Sequence, residues 1–350
     1  MGYDAAQARA VLSGMHPRPA GVCVSDRPVF EAQTPSLDLS VIVPCRDAGA
    51  TLPALLASLA AQRTRYRFEA VLVDDGSRDG TAELLRRCAG AHPDWQVRFQ
   101  PGGGAASARN AGLRVSRGRY VAFVDADDAV PDNYVEALMT AAERTGAQMA
   151  ACAWESRTRS GLLLHRTVPQ NGADGRAVNG CPWGKAFRRE LFAHVLFPEG
   201  YWFEDTVLSF LIFPQVTRLA TTADCTYVYR SAPGNATRRA RGCAKAIDTL
   251  YVTELMLAHA PQAWLRSEAG RRLLMDQFYL NHRRVMGLPA ACRKALFAVQ
   301  ASYADGQLPR RCASPAYARA LCSGRFGFGE MAVRMDGPRK LLARLWSKGE

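Results

Sequence analysis

Strand-like and helix-like segments alternate four times between residues 39 and 128, and this alternation constrains the fold more than any other feature. Apolar runs predict strands at Leu39–Val43, at Phe68–Val73, in WQVRFQ and in RYVAFVDADD. Helical spacing is found in GATLPALLASLAAQ, around Thr81–Cys88 and in AASARNAGLRVSRG. Because each crossover returns the chain to the same strand direction, we expect a parallel sheet with helices on both faces.

Polar residues follow three of these four strands, in VPCRD, DDGS and DADD. The carboxyl ends of parallel strands meet at one edge of the sheet, and ligands of such folds collect there. The sequence therefore predicts a binding site at this edge.

Asp125 and Asp127 stand one residue apart at the end of the fourth strand. Removing ionised carboxylates from water costs several kcal/mol each, so two neighbouring acids need a cation. Oxygen ligands of this kind favour Mg²⁺ or Mn²⁺, which complete their shell with water and substrate phosphates.

Two other interpretations apply to the same acids. The stretch from Asp125 to Glu136 partly resembles a calcium loop, but Ala129 and Val130 occupy the places of an oxygen ligand and a glycine. Alternatively, the acids only cap the turn and the helix that follows.

Asp74 and Asp75 precede a Gly-Ser turn after the second strand. One of these carboxylates can accept hydrogen bonds from a nucleobase or a ribose, and the glycine lets backbone approach closely. The structural alternative is a strand-to-helix turn with an aspartate cap. The glycines of PGGGAASARNAG fit neither common phosphate-loop spacing, which argues against an ATPase or a dehydrogenase.

We expect three parts: an N-terminal extension at 1–36, a catalytic domain at 37–235 and a basic helical region at 236–350. In the second part, a helix is predicted over Asn133–Arg144 with Asp132 as its cap, then a strand in AQMAACAWES and a hairpin in RSGLLLHRTVPQNGADG. In the third part, helices are predicted at Cys243–His259, Trp264–Val285, Arg293–Tyr303 and Pro338–Trp346.

Charge and hydropathy bear on location. From Asn235 onward there are 20 Lys and Arg against 8 Asp and Glu, a net of +12 out of +13 for the chain. This excess favours an anionic partner such as a membrane surface, with a solvated helical surface as the alternative. No long apolar run or secretory signal is found. We expect a cytoplasmic protein and consider peripheral attachment to the inner face of the plasma membrane.

Five motifs occur together in order: SVIVPCRDAGATLPALLASLAAQ, FEAVLVDDGSRDGT, GGGAASARNAGLRVSRGRYVAFVDADD, WGKAFRRELF and FEDTVLSF. This set resembles the family 2 glycosyltransferases and covers about Leu39 to Arg230. The resemblance implies a mixed, mostly parallel α/β sheet of the GT-A-like nucleotide-sugar-binding type, with a C-terminal helical extension. It also implies a nucleotide-diphospho-sugar donor, usually a UDP-sugar, and inversion at the anomeric carbon.

The resemblance also implies roles for individual residues. Asp125 and Asp127 would hold Mn²⁺ or Mg²⁺ against the donor's diphosphate. Residues expected to contact the nucleotide-sugar are Pro44, Arg46, Asp75, Arg109, Asn110 and Asp125.

Asp205 matches the family's catalytic base and Glu204 its acceptor-binding neighbour. The acceptor hydroxyl must lose its proton during attack, which a carboxylate can accept. Trp183 and Lys185 match a position near the donor or acceptor sugar. The structural alternatives are acids at a helix N-terminus for Glu204 and Asp205, and a core tryptophan for Trp183.

The sequence thus predicts a metal-dependent inverting glycosyltransferase of surface polysaccharide synthesis, acting on a saccharide or lipid-linked acceptor. Two alternatives remain open. A sugar-phosphate nucleotidyltransferase normally has a Gly-rich loop with Arg and Lys after the first strand, and VPCRDAGATL lacks it. A non-catalytic nucleotide-sugar-binding protein would have lost the base or the metal acids, and this chain keeps both.

Overall fold

The computed structural model describes residues 3–31, 34–158, 160–169, 178–231, 242–304, 306 and 308–335. Contacts divide the chain into two compact units, Ala20–Pro233 and a unit made of Met1–Pro19 with Gly234–Glu350. The domain boundaries predicted after residues 36 and 235 stay predictions.

An eight-stranded mixed sheet forms the centre of the unit Ala20–Pro233. Its strands are β1 (Leu37–Cys45), β2 (Phe68–Asp75), β3 (Gln96–Gln100), β4 (Gly118–Phe123), β5 (Met149–Thr158), β6 (Leu163–Thr167), β7 (Lys185–Arg188) and β8 (Leu219–Ser231). The spatial order is β3-β2-β1-β4-β7-β5-β6, and β8 pairs with β5. The first four strands are parallel, as is β5 with β8, whereas β7 and β6 run antiparallel to their neighbours. The predicted mixed, mostly parallel sheet is confirmed.

Ten α-helices have both of their ends within the described residues. They are α1 (Ala5–Met15), α2 (Leu52–Ala60), α3 (Thr81–Ala91), α4 (Ala105–Val115), α5 (Tyr134–Thr145), α6 (Asp248–His259), α7 (Gln262–Leu265), α8 (Glu268–Arg284), α9 (Ala290–Ser302) and α10 (Pro315–Cys322).

The order of strands creates a switch point between β1 and β4. The chain runs outward from β1 through β2 to β3, then crosses back to place β4 on the other side of β1. Val41, Ile42 and Val43 of β1 are completely buried there, as expected for a strand covered on both faces. The crevice outside the carboxyl ends of β1 and β4 is the usual ligand position in such sheets.

The start of α5 differs from the prediction. Asn133, not Asp132, is the N-cap residue, and its side chain makes no capping hydrogen bond. Asp132 instead forms an exposed ion pair with Arg63 at 3.1 Å. Gly146 caps the end of the helix, and its φ of 59° is the left-handed conformation that favours glycine.

The described residues of the unit made of Met1–Pro19 with Gly234–Glu350 are mostly helical. Its first helix, α1, was not predicted; Asp4 caps it in a capping box with Gln7. The predicted helix Pro338–Trp346 lies outside the described residues. Within the part of the chain that is described, no helix is both long and apolar enough to cross a bilayer.

Candidate active site

The acidic motif after β4 presents its carboxylates in alternation. Asp125 and Asp127 are partly exposed, whereas Ala126 and Asp128 between and after them are buried. The backbone turns within the motif, because the Asp128 amide donates to the Asp125 carbonyl at 3.1 Å. Two of the three acids therefore face the open side of the crevice, and the third points into the protein.

Asp128 fastens this motif to β8. The Tyr227 hydroxyl donates to Asp128 Oδ2 at 2.6 Å, and the Arg230 amide donates to Asp128 Oδ1 at 2.8 Å. The same hydroxyl accepts from the Asp125 amide at 3.2 Å. Burial, together with the charges of Asp125 and Asp127, raises the pKa of Asp128 to about 8. Asp128 thus does not cap α5. Its buried carboxylate joins the acidic motif to β8.

Arg109 connects the two acidic motifs. Its Nη2 donates to Asp125 Oδ1 at 3.0 Å and its Nη1 donates to Glu204 Oε1 at 2.6 Å. The side chain is only 6% exposed. Burial alone would lower the pKa of Arg109, but the two carboxylates raise it above its usual range. Arg109, predicted to contact the nucleotide, is seen to position two acids.

Glu204 and Asp205 lie in the turn that begins a short helical segment. The Thr206 amide donates to the Phe203 carbonyl at 3.1 Å, which closes this turn. Phe203 has a φ of 64°, a left-handed conformation that costs a non-glycine residue roughly 1–2 kcal/mol. Such strain is concentrated at functional sites, and here it immediately precedes the two acids.

Asn110 holds the chain that leads to this turn. Its Nδ2 donates to the Phe197 carbonyl at 2.8 Å and to Glu199 Oε1 at 3.0 Å, and its Oδ1 accepts from the Phe197 amide at 2.9 Å. The residue is completely buried. Its predicted contact with nucleotide stays a prediction, whereas its observed contacts are with the protein itself.

Asp75 lies at the end of β2 as predicted. Its carboxylate accepts hydrogen bonds from the glycine loop 101–104. Its Oδ1 accepts from the Gly103 amide at 2.7 Å and from Gln100 Nε2 at 2.8 Å. Its Oδ2 accepts from the Gly104 amide at 2.8 Å and from Arg46 Nη1 at 3.2 Å. A nucleoside contact with Asp75 would have to displace one of these donors.

Gly76 allows the glycine loop to come this close. Its φ is 71°, and a Cβ added there would lie 2.7 Å from the Gly102 nitrogen.

Two other predicted site residues lie at the end of the first strand. Pro44 is half-buried opposite Val73, and the Arg46 side chain is about half exposed at 51%.

Trp183 is a core side chain with one ring face on Tyr227. The two rings are stacked, with centroids 4.8 Å apart and an interplanar angle of 7°, and Tyr229 stacks on Trp183 at 5.7 Å. Only 6% of Trp183 is exposed. This agrees with the structural alternative stated for Trp183, and sugar stacking on its indole stays a prediction.

Lys185 is buried and holds the loop before β7. Its ammonium donates to Asn179 Oδ1 at 2.7 Å, to the Cys181 carbonyl at 2.9 Å and to the Trp183 carbonyl at 3.2 Å. Burial lowers the pKa of Lys185 to about 8, and Asp205 is among the charges that act to raise it. Three acceptors match the three protons of an ammonium ion, so the side chain is charged at pH 7.

The donor set fits a small divalent cation. Asp125 and Asp127 offer hard oxygen atoms on the open side of the crevice. Mg²⁺ and similar ions commonly bind one or two carboxylates and take their other ligands from water and phosphates. Among the described residues no group of three or more His, Cys, Asp or Glu is placed to hold a metal ion.

Two elements of this site were not predicted from the sequence. The bond between Tyr227 and Asp128 joins residues 99 positions apart, and only the third acid of DADD hinted at it. The strained Phe203 has no sequence signal, because only the fold forces its left-handed backbone.

Comparison with known proteins supports the assignment of the fold and family. The profile described as "Glycosyl transferase family 2" matches residues 40–196, a range that includes Asp125 and Asp127 and ends before Glu204. The "Uncharacterized glycosyltransferase YibD" of Escherichia coli K12 is 31% identical over 209 residues, covering 55% of this chain and 60% of that protein. The chain thus spans about three fifths of the length of this relative.

Two further similarities are narrower. The "Undecaprenyl-phosphate 4-deoxy-4-formamido-L-arabinose transferase" of Pseudomonas savastanoi is 36% identical over 110 residues, 30% of this chain and 33% of that protein. The crystal structure of S. aureus TarS 1–349 in complex with UDP-GlcNAc superposes with a TM-score of 0.55 at 16% identity, covering 85% and 91% of the two chains. At that identity the likeness shows the fold alone. Residues 40–196 of the chain thus match the family 2 glycosyltransferases.

Proposed function

We propose that the chain is a metal-dependent inverting glycosyltransferase that moves a sugar from a UDP-sugar to a hydroxyl of a saccharide or lipid-linked saccharide. The observation that carries this proposal is the double ion pair of Arg109. One guanidinium bonds both Asp125, which is predicted to lie beside the donor's diphosphate, and Glu204, which is predicted to lie beside the acceptor.

The chain's own groups divide the work between two sides of the crevice. Asp205 would accept the proton of the acceptor hydroxyl as its oxygen attacks the anomeric carbon, and the bond to the nucleoside diphosphate breaks on the opposite face. Glu204 is held by Arg109 and orients the acceptor. Holding donor and acceptor in line supplies a large part of the rate gain.

Asp125 and Asp127 would hold Mg²⁺ or Mn²⁺. When bound, such an ion neutralises the charge that develops on the leaving diphosphate. Tyr227 of β8 bonds the Asp125 amide and the Asp128 carboxylate, and would thereby hold the acidic motif in place.

The acceptor class is proposed on two grounds. The name of the Pseudomonas relative includes undecaprenyl phosphate, which is a lipid phosphate. The basic C-terminal third of this chain would be attracted to an anionic membrane surface, where lipid-linked acceptors lie. We accordingly place the protein at the inner face of the plasma membrane, acting in surface polysaccharide synthesis.

The role of Asp205 is tested with Asp205→Asn. We expect the variant to keep the thermal stabilisation by UDP with Mn²⁺ and to lose about 10²- to 10⁴-fold in transfer, the usual contribution of a general base. Equal loss of nucleotide binding and transfer would contradict the assignment. Release of pyrophosphate when the protein is supplied with UTP and a sugar 1-phosphate would favour a nucleotidyltransferase.

A further inference from the structure

The tip of the hairpin formed by β5 and β6 exposes three consecutive leucines. Leu162, Leu163 and Leu164 are 65%, 47% and 53% exposed, and Val168 just beyond them is 46% exposed. Single exposed apolar residues are common, but a run of three on one short hairpin is a signal of an interaction surface.

The leucines face both sides of the hairpin. Successive side chains of a strand point to opposite faces, so Leu163 and Leu164 project in opposite directions from β6. β6 is also the last strand on its side of the sheet. A flat protein partner would cover one face of this strand, whereas a fluid apolar medium would accommodate both.

Basic side chains accompany the leucines. Arg166 lies opposite Glu155 in the register of β5 and β6 and is exposed. Arg157 bonds Glu155 and donates to the Gly161 carbonyl at 2.8 Å, which ties its charge to the turn. Apolar side chains flanked by arginines match the layering of an anionic bilayer, in which phosphates lie above the acyl chains.

We propose that this hairpin tip inserts into the surface of an anionic phospholipid bilayer. Leu162, Leu163 and Leu164 would enter the acyl boundary, with Arg166 at the level of the phosphates. The proposal does not depend on the metal ion or on the base, so it can fail without affecting the proposed function.

A series of aromatic ring contacts connects the hairpin to the candidate site. The rings of Trp154 and His165 lie 5.1 Å apart, and Trp154 contacts the Trp183 ring edge-on at 5.4 Å. Trp183 in turn stacks on Tyr227, the residue that holds the Asp125 amide. An inserted hairpin would therefore bring this side of the sheet next to the lipid headgroups.

Cosedimentation of the full chain with vesicles tests the proposal. We expect Leu163→Ser with Leu164→Ser to lower the partition coefficient on phosphatidylglycerol-containing vesicles at least tenfold. The matched control, Val22→Ser with Phe99→Ser, removes two other exposed apolar residues of the same unit and should change it less than twofold. Arg166→Ser should weaken binding to anionic vesicles more than to neutral ones.

Insertion itself is tested by fluorescence, which separates the hairpin from any attachment through the basic C-terminal region. A Leu163→Trp variant should gain quenching by lipids brominated in their acyl chains, and Phe99→Trp should not. Absence of that gain would overturn the proposal. So would a wild-type dimer that dissociates on the double leucine substitution, because the leucines would then join two copies of the chain.

Discussion

Arg109 and Glu204 are 95 positions apart in the chain, and Arg109 Nη1 donates to Glu204 Oε1 at 2.6 Å. The other end of the same guanidinium bonds Asp125. Two sequence motifs that are separate in the chain are thus joined by one buried cation, which balances part of the negative charge of both.

Replacing Arg109 by Met should lower the free energy of unfolding by about 2–3 kcal/mol, the usual worth of hydrogen bonds to charged groups. The loss is moderated because the Asp125 and Glu204 side chains are 27% and 18% exposed and can gain water. Urea denaturation of Arg109→Met, of Glu204→Gln and of the double variant measures this coupling. The second change should be less costly in the Met background, and strictly additive losses would argue against the ion pair.

Tyr227→Phe should weaken metal-dependent nucleotide binding while the fold is kept. The change removes the hydroxyl that donates to Asp128 and accepts from the Asp125 amide. The ring stack on Trp183 remains possible for Phe. We expect about a tenfold weaker affinity for UDP with Mn²⁺ in calorimetric titration, equivalent to about 1.4 kcal/mol. Unchanged affinity would mean that the link to β8 does not position the acids.

Substitutions of Trp183 distinguish a role in core packing from a role in stacking on a sugar. Trp183→Ala should lower the free energy of unfolding by about 3–5 kcal/mol, as for other buried aromatic truncations. Trp183→Phe retains a ring between Tyr227 and Tyr229 and should cost much less. If Trp183→Ala were as stable as the wild-type protein and only raised the KM for sugar substrates, the core assignment would be wrong.

His282 should make the protein less stable in mild acid. Burial lowers the pKa of His282 to about 4, below the 6.5 of an exposed histidine. Between these values the unfolded chain binds more protons, so stability is lost as pH falls from about 6.5 towards 4, by at most about 3 kcal/mol.

The charged groups that act on His282 are Glu330 and Arg293, and its Nδ1 lies 3.2 Å from the Tyr317 hydroxyl. Denaturant unfolding of wild type and His282→Gln at pH 7 and pH 5 isolates its share. The wild-type protein should lose more stability than the variant between these pH values, and parallel losses would refute the attribution.

The sequence predicted the strands well where local chemistry decides the structure. β1, β2 and β4 contain apolar runs and most of their residues are buried, so their pattern has few alternatives. Helix α1 was missed because only Ala8 and Leu12 of its residues are buried, which leaves a weak apolar stripe.

The partners of the site residues depend on long-range geometry and were harder to predict. Asp75 was expected at the right edge of the sheet, but nothing in its own motif shows that the loop at Gly103 and Gly104 supplies its donors. In the same way, the motif around Arg109 indicates a functional cation without showing that it bonds carboxylates from two distant segments.

The most direct test of the account is the thermal stability of the purified chain with UDP, with Mn²⁺ and with both. We predict a rise in Tm that requires both ligands, because a metal-bridged nucleotide binds only the folded state. The rise should vanish in Asp127→Ala and persist in Asp132→Ala, which removes an exposed aspartate that pairs with Arg63. A rise of equal size in Asp127→Ala, or none in the wild-type protein, would contradict the central claim that Asp125 and Asp127 hold a cation against a nucleoside diphosphate.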